Sequence, residues 1–210
     1  MKKCRLDVSL YLVTDQKGLS EPLDRIVEEA ICGGVSLVQI REKESDSRTF
    51  YYHVLALKKV TDAYQIPLII NDRLDIMLAA GADGVHLGQS DIPVGEARRL
   101  LGDEKIIGAS AHSVSEALQA EREGADYIGA GAIFQTNTKK DTSVMTAETL
   151  SAICAAVSIP VVAIGGITAG NINQIKNTGI SGAAISSAIL HSQNPKLTAE
   201  QLRREIHIAR

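Results

Sequence analysis

Apolar residues come along this chain in short, nearly unbroken bursts, and polar, periodic stretches lie between them. The bursts are "VSLYLVT" (8–14), "VSLVQI" (35–40), "IPLIIN" (66–71), "DGVHL" (83–87), "KIIGAS" (105–110), "DYIGAG" (126–131), "IPVVAI" (159–164) and "SGAAIS" (181–186). Strict alternation would indicate strands with one wet face. Continuous runs of this length indicate strands covered on both faces, as in a parallel sheet.

The stretches between have helical spacing. Leu23, Ile26, Val27, Ala30 and Ile31 follow the i, i+3, i+4, i+7, i+8 pattern of one buried helix face. Ser20 ahead of Glu21 and Pro22 reads as a helix start, Ser113 with Glu116 as a capping box, and Thr198 with Gln201 as a second one. Glycine closes several of these segments just before the next burst ("CGGVS", "AAGADG", "REGADY", "NTGISG"), where a left-handed cap turns the chain back. Eight strands alternating with helices in 210 residues predict an α/β fold, a (β/α)8 TIM barrel, with residues 1–210 as one domain. A doubly wound open sheet is the rival, and the eight-fold count favours closure.

Composition narrows the functions. A net charge of −3 and no block of lysine and arginine argue against nucleic acid or an anionic membrane as partner. No stretch reaches the roughly 18 apolar residues of a membrane span. Asp7 interrupts the apolar run that a signal peptide would need. Cys4, Cys32 and Cys154 are odd in number and lack paired spacing, so they suggest neither a disulfide framework nor a zinc site; Cys32 and Cys154, in helix-like apolar stretches, read as buried thiols, and a reducing cytoplasm is the expected setting.

In such barrels the chemistry gathers where strands end. The bursts run into Gln39, Arg41 and Lys43; Asn71 and Asp72; His86, Gln89 and Asp91; Ser110 and His112; Thr136, Thr138 and Lys139; Gly165 and Gly166; Ser186 and Ser187. Each has a plain reading as well. Arg41 could pair with Glu42 or Glu44, Asp72 could cap a helix, and Asp91 could close a turn. His86 reads more readily as a packed, hydrogen-bonded ring than as a ligand. Polarity at every strand end together is harder to explain that way.

The Gly165–Gly166 turn with the helix start at Ser186 and Ser187 has the form of a barrel phosphate site. On the other side Arg41, Lys43 and Lys139 stand with Asp72 and Asp91. Two carboxylates on neighbouring strands, about 4.8 Å apart, suit Mg²⁺ that completes its shell with phosphate oxygens. The cations suit the remaining phosphate charge. Two anion sites in one pocket imply small phosphorylated substrates.

The motifs "VQIREK", "IINDRLDIMLAAGADGVHLGQSDIP", "IGASAHS", "ADYIGAG" with "TNTKKD", and "AIGGI" resemble the thiamine phosphate synthase family over nearly the whole chain. That resemblance implies a transferase of thiamine biosynthesis. It would join a hydroxymethylpyrimidine diphosphate to a thiazole phosphate and release diphosphate, with Mg²⁺, through a pyrimidinylmethyl cation. It also implies that Gln39, Arg41, Lys43, Asn71, Ser110 and Lys139 meet the diphosphate substrate, with Arg41, Lys43, Lys139 and Ser110 catalytic. By the same resemblance Asp72 and Asp91 hold the metal, and Thr136, Thr138, Gly166, Ser186 and Ser187 meet the thiazole phosphate. The chain departs from the family at Ala132 and Gln135, where prolines are usual, and at Ser186, where an apolar residue is usual. Alternative readings are a thiazole tautomerase-like isomerase on the same barrel, an aldolase using Lys43 or Lys139 as a Schiff base, and an inactive phosphate-binding paralogue. A homo-oligomer is compatible with all of these.

Overall fold

A computed structural model of the chain describes residues 6–135, 144–175 and 177–208. Eight parallel strands close into a barrel in sequence order: β1 (Leu10–Val13), β2 (Leu37–Ile40), β3 (Leu68–Asn71), β4 (Gly84–Leu87), β5 (Ile106–Ala111), β6 (Tyr127–Gly131), β7 (Val161–Ile164) and β8 (Gly182–Ile185). Leu10 pairs with Ala183, which seals the ring. All eight apolar bursts are strands, and each strand begins one or two residues later than its burst. The first residues of a burst still sit in the loop that climbs from the helix layer.

The helices are α1 (Leu23–Cys32), α2 (Ser47–Ala63), α3 (Leu74–Ala80), α4 (Val94–Leu101), α5 (Val114–Arg122), α6 (Ala147–Ala156), α7 (Ser187–Leu190) and α8 (Pro195–Ile208). A 3-10 turn (Ile172–Ile175) follows β7 in place of a full helix.

The continuous apolar runs are explained by two cores. One set of strand side chains, including Leu10, Leu12, Val38, Ile40, Leu68 and Ile70, packs outward against Ile26, Val27, Phe50, Val54 and Leu57 of the helices. The alternate set, Val8, Tyr11, Val13, Leu37, Ile69, Tyr127, Val162 and Ala184, plugs the barrel interior. Both faces of every strand are therefore dry, and the period of two is hidden in the sequence. The seam between the last helix and the first is tight: a Cβ on Gly33 would lie 2.3 Å from the Lys196 carbonyl oxygen.

Three local expectations change. Ser20 does not start α1; Pro22 flanks it and no side chain caps it. Thr198 lies inside α8, whose start is held instead by Asn194, the Oδ1 of which accepts from the Leu197 N–H at 3.0 Å. Proline at the first helical position, here Pro195, sets φ for the helix and outweighs the threonine signal. Cys32 is exposed and Cys154 half-buried, since Cys32 ends its helix on the side away from the barrel. Ser113 does cap α5, accepting from the Glu116 N–H, while the Glu116 carboxylate returns to the His112 N–H.

Candidate active site

The C-terminal ends of the strands surround one cleft with two lobes. The larger, about 420 Å³, is lined by Gln39, Arg41, Lys43, Asn71, Asp72, Asp91 and Ser110, among others. The smaller, about 130 Å³, is lined by Gly165, Gly166, Ser186, Ser187 and Ala132, among others. Val13, Arg41, His86, Ser110 and His112 belong to both walls, so the lobes are continuous.

Strand alternation does the positioning. β2 ends with Gln39, Arg41 and Lys43 on the cleft side, while Glu42 faces away with its side chain only 3% exposed. Its carboxylate is held by His53 Nδ1 at 2.9 Å and by the Gln16 amide. Glu44 pairs with Lys17. The glutamates next to Arg41 thus pair elsewhere, and among the described residues Arg41 forms no ion pair with either.

Asp72 sits at the β3 tip with φ 60, a left-handed conformation that asparagine and aspartate tolerate better than other side-chain-bearing residues. Its N–H donates to the His86 carbonyl at 2.9 Å, which fixes that turn against β4. α3 begins two residues later without a side-chain cap, so the Asp72 carboxylate is not spent on the helix. It lies 3.6 Å from Lys43 Nζ and beside the Asp91 carboxyl. Burial, and then the Asp91 carboxyl, raise its pKa above the ordinary 3.8 against the opposing pull of Lys43. Asp91 closes a turn as well, one oxygen accepting from the Gly88 N–H at 2.6 Å.

At the smaller lobe, Gly165 and Gly166 have φ of 103 and 63. A Cβ on Gly165 would lie 2.6 Å from that of Ala132, and one on Gly166 would lie 2.5 Å from the Gln135 carbonyl oxygen. These glycines are needed for the chain after β6 to lie across the turn. Ser186 flanks the short α7 without capping it, and its buried Oγ has no hydrogen-bond partner among the described residues. Thr136, Thr138 and Lys139 lie outside the described residues.

A family model described as thiamine monophosphate synthase matches residues 10–189. The chain belongs to the thiamine monophosphate synthase family. A thiamine-phosphate synthase of Ruminiclostridium cellulolyticum is 53% identical over 201 residues, covering 95% of this chain and 96% of that one. Another, of Clostridium acetobutylicum, is 56% identical over 192 residues, covering 91% of each chain. A solved thiamine phosphate pyrophosphorylase from Pyrococcus furiosus superposes with a TM-score of 0.88 at 38% identity, covering 98% of both chains.

Within this family member, reading from the sequence alone missed two polar groups beneath the cleft: Tyr11 and Tyr127, both buried in the barrel plug. The available signal was a tyrosine inside an otherwise aliphatic or small-residue burst, in phase with inward-facing neighbours. His86 is the packed, hydrogen-bonded ring its surroundings suggested, contacting the Tyr127 and Ser110 hydroxyls.

Proposed function

We propose that the chain condenses 4-amino-2-methyl-5-(diphosphooxymethyl)pyrimidine with 4-methyl-5-(2-phosphooxyethyl)thiazole to give thiamine phosphate and diphosphate. The observation that carries this reading is the two-lobed cleft. Its larger lobe pairs two carboxylates with Arg41 and Lys43, and its smaller lobe is lined by Gly166, Ser186 and Ser187. Family membership supports the same assignment.

Asp72 and Asp91 fit a hard divalent cation. They are adjacent carboxylates, and among the described residues no third His, Cys, Asp or Glu joins them. Two protein oxygens, with the rest of the shell left to water and phosphate, is the usual Mg²⁺ arrangement. Bound there, Mg²⁺ would neutralise negative charge developing on the diphosphate.

The thiazole nitrogen has a free lone pair, so its attack on the pyrimidine CH₂ needs no base. What must be stabilised is the departing diphosphate. Arg41 offers a bidentate fork and Lys43 a mobile ammonium at that end of the cleft. Ser110 supplies a hydroxyl between the lobes. Gln39, in the larger lobe, is suited to the amino group of the pyrimidine. Lys139 is assigned to the diphosphate and Thr136 and Thr138 to the thiazole phosphate. Holding both substrates in one cleft contributes effective molarity.

The test is thiamine phosphate formation from the two substrates with and without Mg²⁺. Asp72→Ala is expected to lower turnover by about 100-fold with an unchanged far-ultraviolet circular dichroism spectrum. Turnover indifferent to chelator would remove the metal from this account.

A further inference from the structure

Five polar side chains from five strands meet under the floor of the cleft. Gln39 Nε2 donates to Tyr11 Oη. Tyr11 Oη lies 2.7 Å from Tyr127 Oη, and Tyr127 Oη lies 3.0 Å from His86 Nδ1. His86 Nε2 lies 2.9 Å from Ser110 Oγ. Gln39, Tyr11, Tyr127 and His86 are 3%, 2%, 0% and 8% exposed, so the chain is largely closed off from bulk water, with Tyr11 and His86 also reaching the cleft wall. Its two ends, Gln39 and Ser110, both line the cleft.

The barrel makes room for this chain. A Cβ on Gly108 would lie 2.1 Å from Tyr127 Cζ, and one on Gly129 would lie 3.0 Å from His86 Cε1. Two strands have therefore given up side chains where the Tyr127 and His86 rings stand. The Tyr11 and Tyr127 rings meet edge to face with centroids 5.7 Å apart, which fixes both hydroxyls.

Hydrogen-bond polarity gives the chain a direction. A phenol has one proton to donate. Burial pushes both phenols above their ordinary value of 10.0, so both keep that proton. With Gln39 donating into Tyr11, the order that leaves neither phenol proton unused, and the one the relay requires, runs from Tyr11 to Tyr127 and from Tyr127 to His86 Nδ1. The imidazole proton then sits on Nε2 and points at Ser110 Oγ. Ser110 is left with a hydroxyl hydrogen for the cleft, and Gln39 with its carbonyl Oε1.

We propose that Tyr11, Tyr127 and His86 are positioning residues, a buried relay that makes Gln39 present an acceptor and Ser110 a donor to the ligand as one coupled unit. This rests on the proposed reaction for the ligand's identity. There the amino group of the heterocycle would meet Gln39 Oε1, and an anionic diphosphate oxygen would meet the Ser110 hydroxyl. The reverse polarity would present the wrong group at both ends. A broken chain would let each end turn independently.

Two measurements test this. The first is the nitrogen-15 spectrum of the His86 ring in the ligand-free protein. The relay requires a single neutral tautomer with bare Nδ1, replaced by a mixture in Tyr127→Phe. A wild-type ring that is protonated at Nδ1 or already mixed overturns the relay. The second is steady-state kinetics of Tyr127→Phe, Tyr11→Phe and the double variant. Each single variant is expected to raise KM for the pyrimidine diphosphate about 10-fold, the size of one lost hydrogen bond, with KM for the thiazole phosphate unchanged. The double variant should be no worse than either single one, because a chain needs breaking only once. Additive effects, equal changes in both KM values or no change would mark the tyrosines as packing only. If Tyr127→Phe does not fold, Tyr11→Phe carries the same expectation. Wild-type protein inactive with both substrates would remove the substrate reading, and the tautomer would still decide the relay.

Discussion

Ser186 carries a buried hydroxyl whose effects on stability and on binding can be measured separately. A buried hydroxyl without a partner loses its hydration and gains nothing in return. Removing it from the ligand-free protein should therefore cost little. Ser186→Ala is expected to leave the protein as stable as before or up to ~1 kcal/mol more stable in urea unfolding. Turned into the cleft on binding, the hydroxyl would meet the phosphate-bearing thiazole, so the same change should weaken that binding roughly five-fold by calorimetry. A loss of stability without a change in affinity would mean that Ser186 serves the fold rather than the ligand. Asp72 has a similar double character: its positive φ and its Asp91 neighbour are locally unfavourable, a pattern met at functional sites. Neither feature can be read from residue type. "IIND" gives a strand end and a carboxylate, but the left-handed turn that frees this carboxylate from capping depends on the contact between the Asp72 N–H and the His86 carbonyl on the next strand.

At the scale of elements, α2 begins with a cap that titrates. The Asp46 carboxylate accepts from the Thr49 hydroxyl at 2.7 Å and from the Arg48 and Thr49 N–H groups. The Thr49 side-chain and backbone hydrogen bonds hold its pKa below the ordinary 3.8. A depressed folded pKa means stability that is present above the unfolded value and lost as pH falls through the folded one. Thermal melts of the wild type should therefore show α2 weakening at acid pH. Asp46→Asn keeps an oxygen acceptor without the titration, so its melting temperature should fall less steeply on the acid side. The element scale is also where sequence patterns are most legible. All eight apolar bursts became strands, and glycine signals such as Gly81 and Gly124 sit at left-handed turns after α3 and α5. Caps were less legible, as Ser20 and Thr198 show, because a proline at or beside the first helical turn sets the start regardless of nearby hydroxyls.

For the whole molecule, the end of the barrel opposite the cleft is tied by one guanidinium. Arg98 on α4 donates to the carbonyls of Gly102, Lys105 and Gly124 and to Asp126 Oδ2 at 2.7 Å, and Asp126 also accepts from the Ile107 N–H. Both side chains are largely buried. Arg98→Ala is expected to destabilise the barrel by about 2–3 kcal/mol in urea unfolding. Turnover of the folded fraction should stay near that of the wild type, since the cleft lies at the other end. Nothing in "GEARRLLGDE" distinguishes Arg98 from Arg99, which pairs with Glu96 on the surface. The chain by itself determined the number and order of the strands, their alternation with helical segments, the polar strand ends and the family motifs, because these depend on residue type and local period. Tertiary closure decided which alternate residues face the interior plug and which face the helices, since apolar residues occupy both faces of the strands. It also decided that Asp72 meets Asp91, that Glu42 turns away from Arg41, and that Gln39, Tyr11, Tyr127, His86 and Ser110 join hands across five strands. Those contacts span residues far apart in the chain, and only the curvature of the closed sheet brings them within hydrogen-bonding reach.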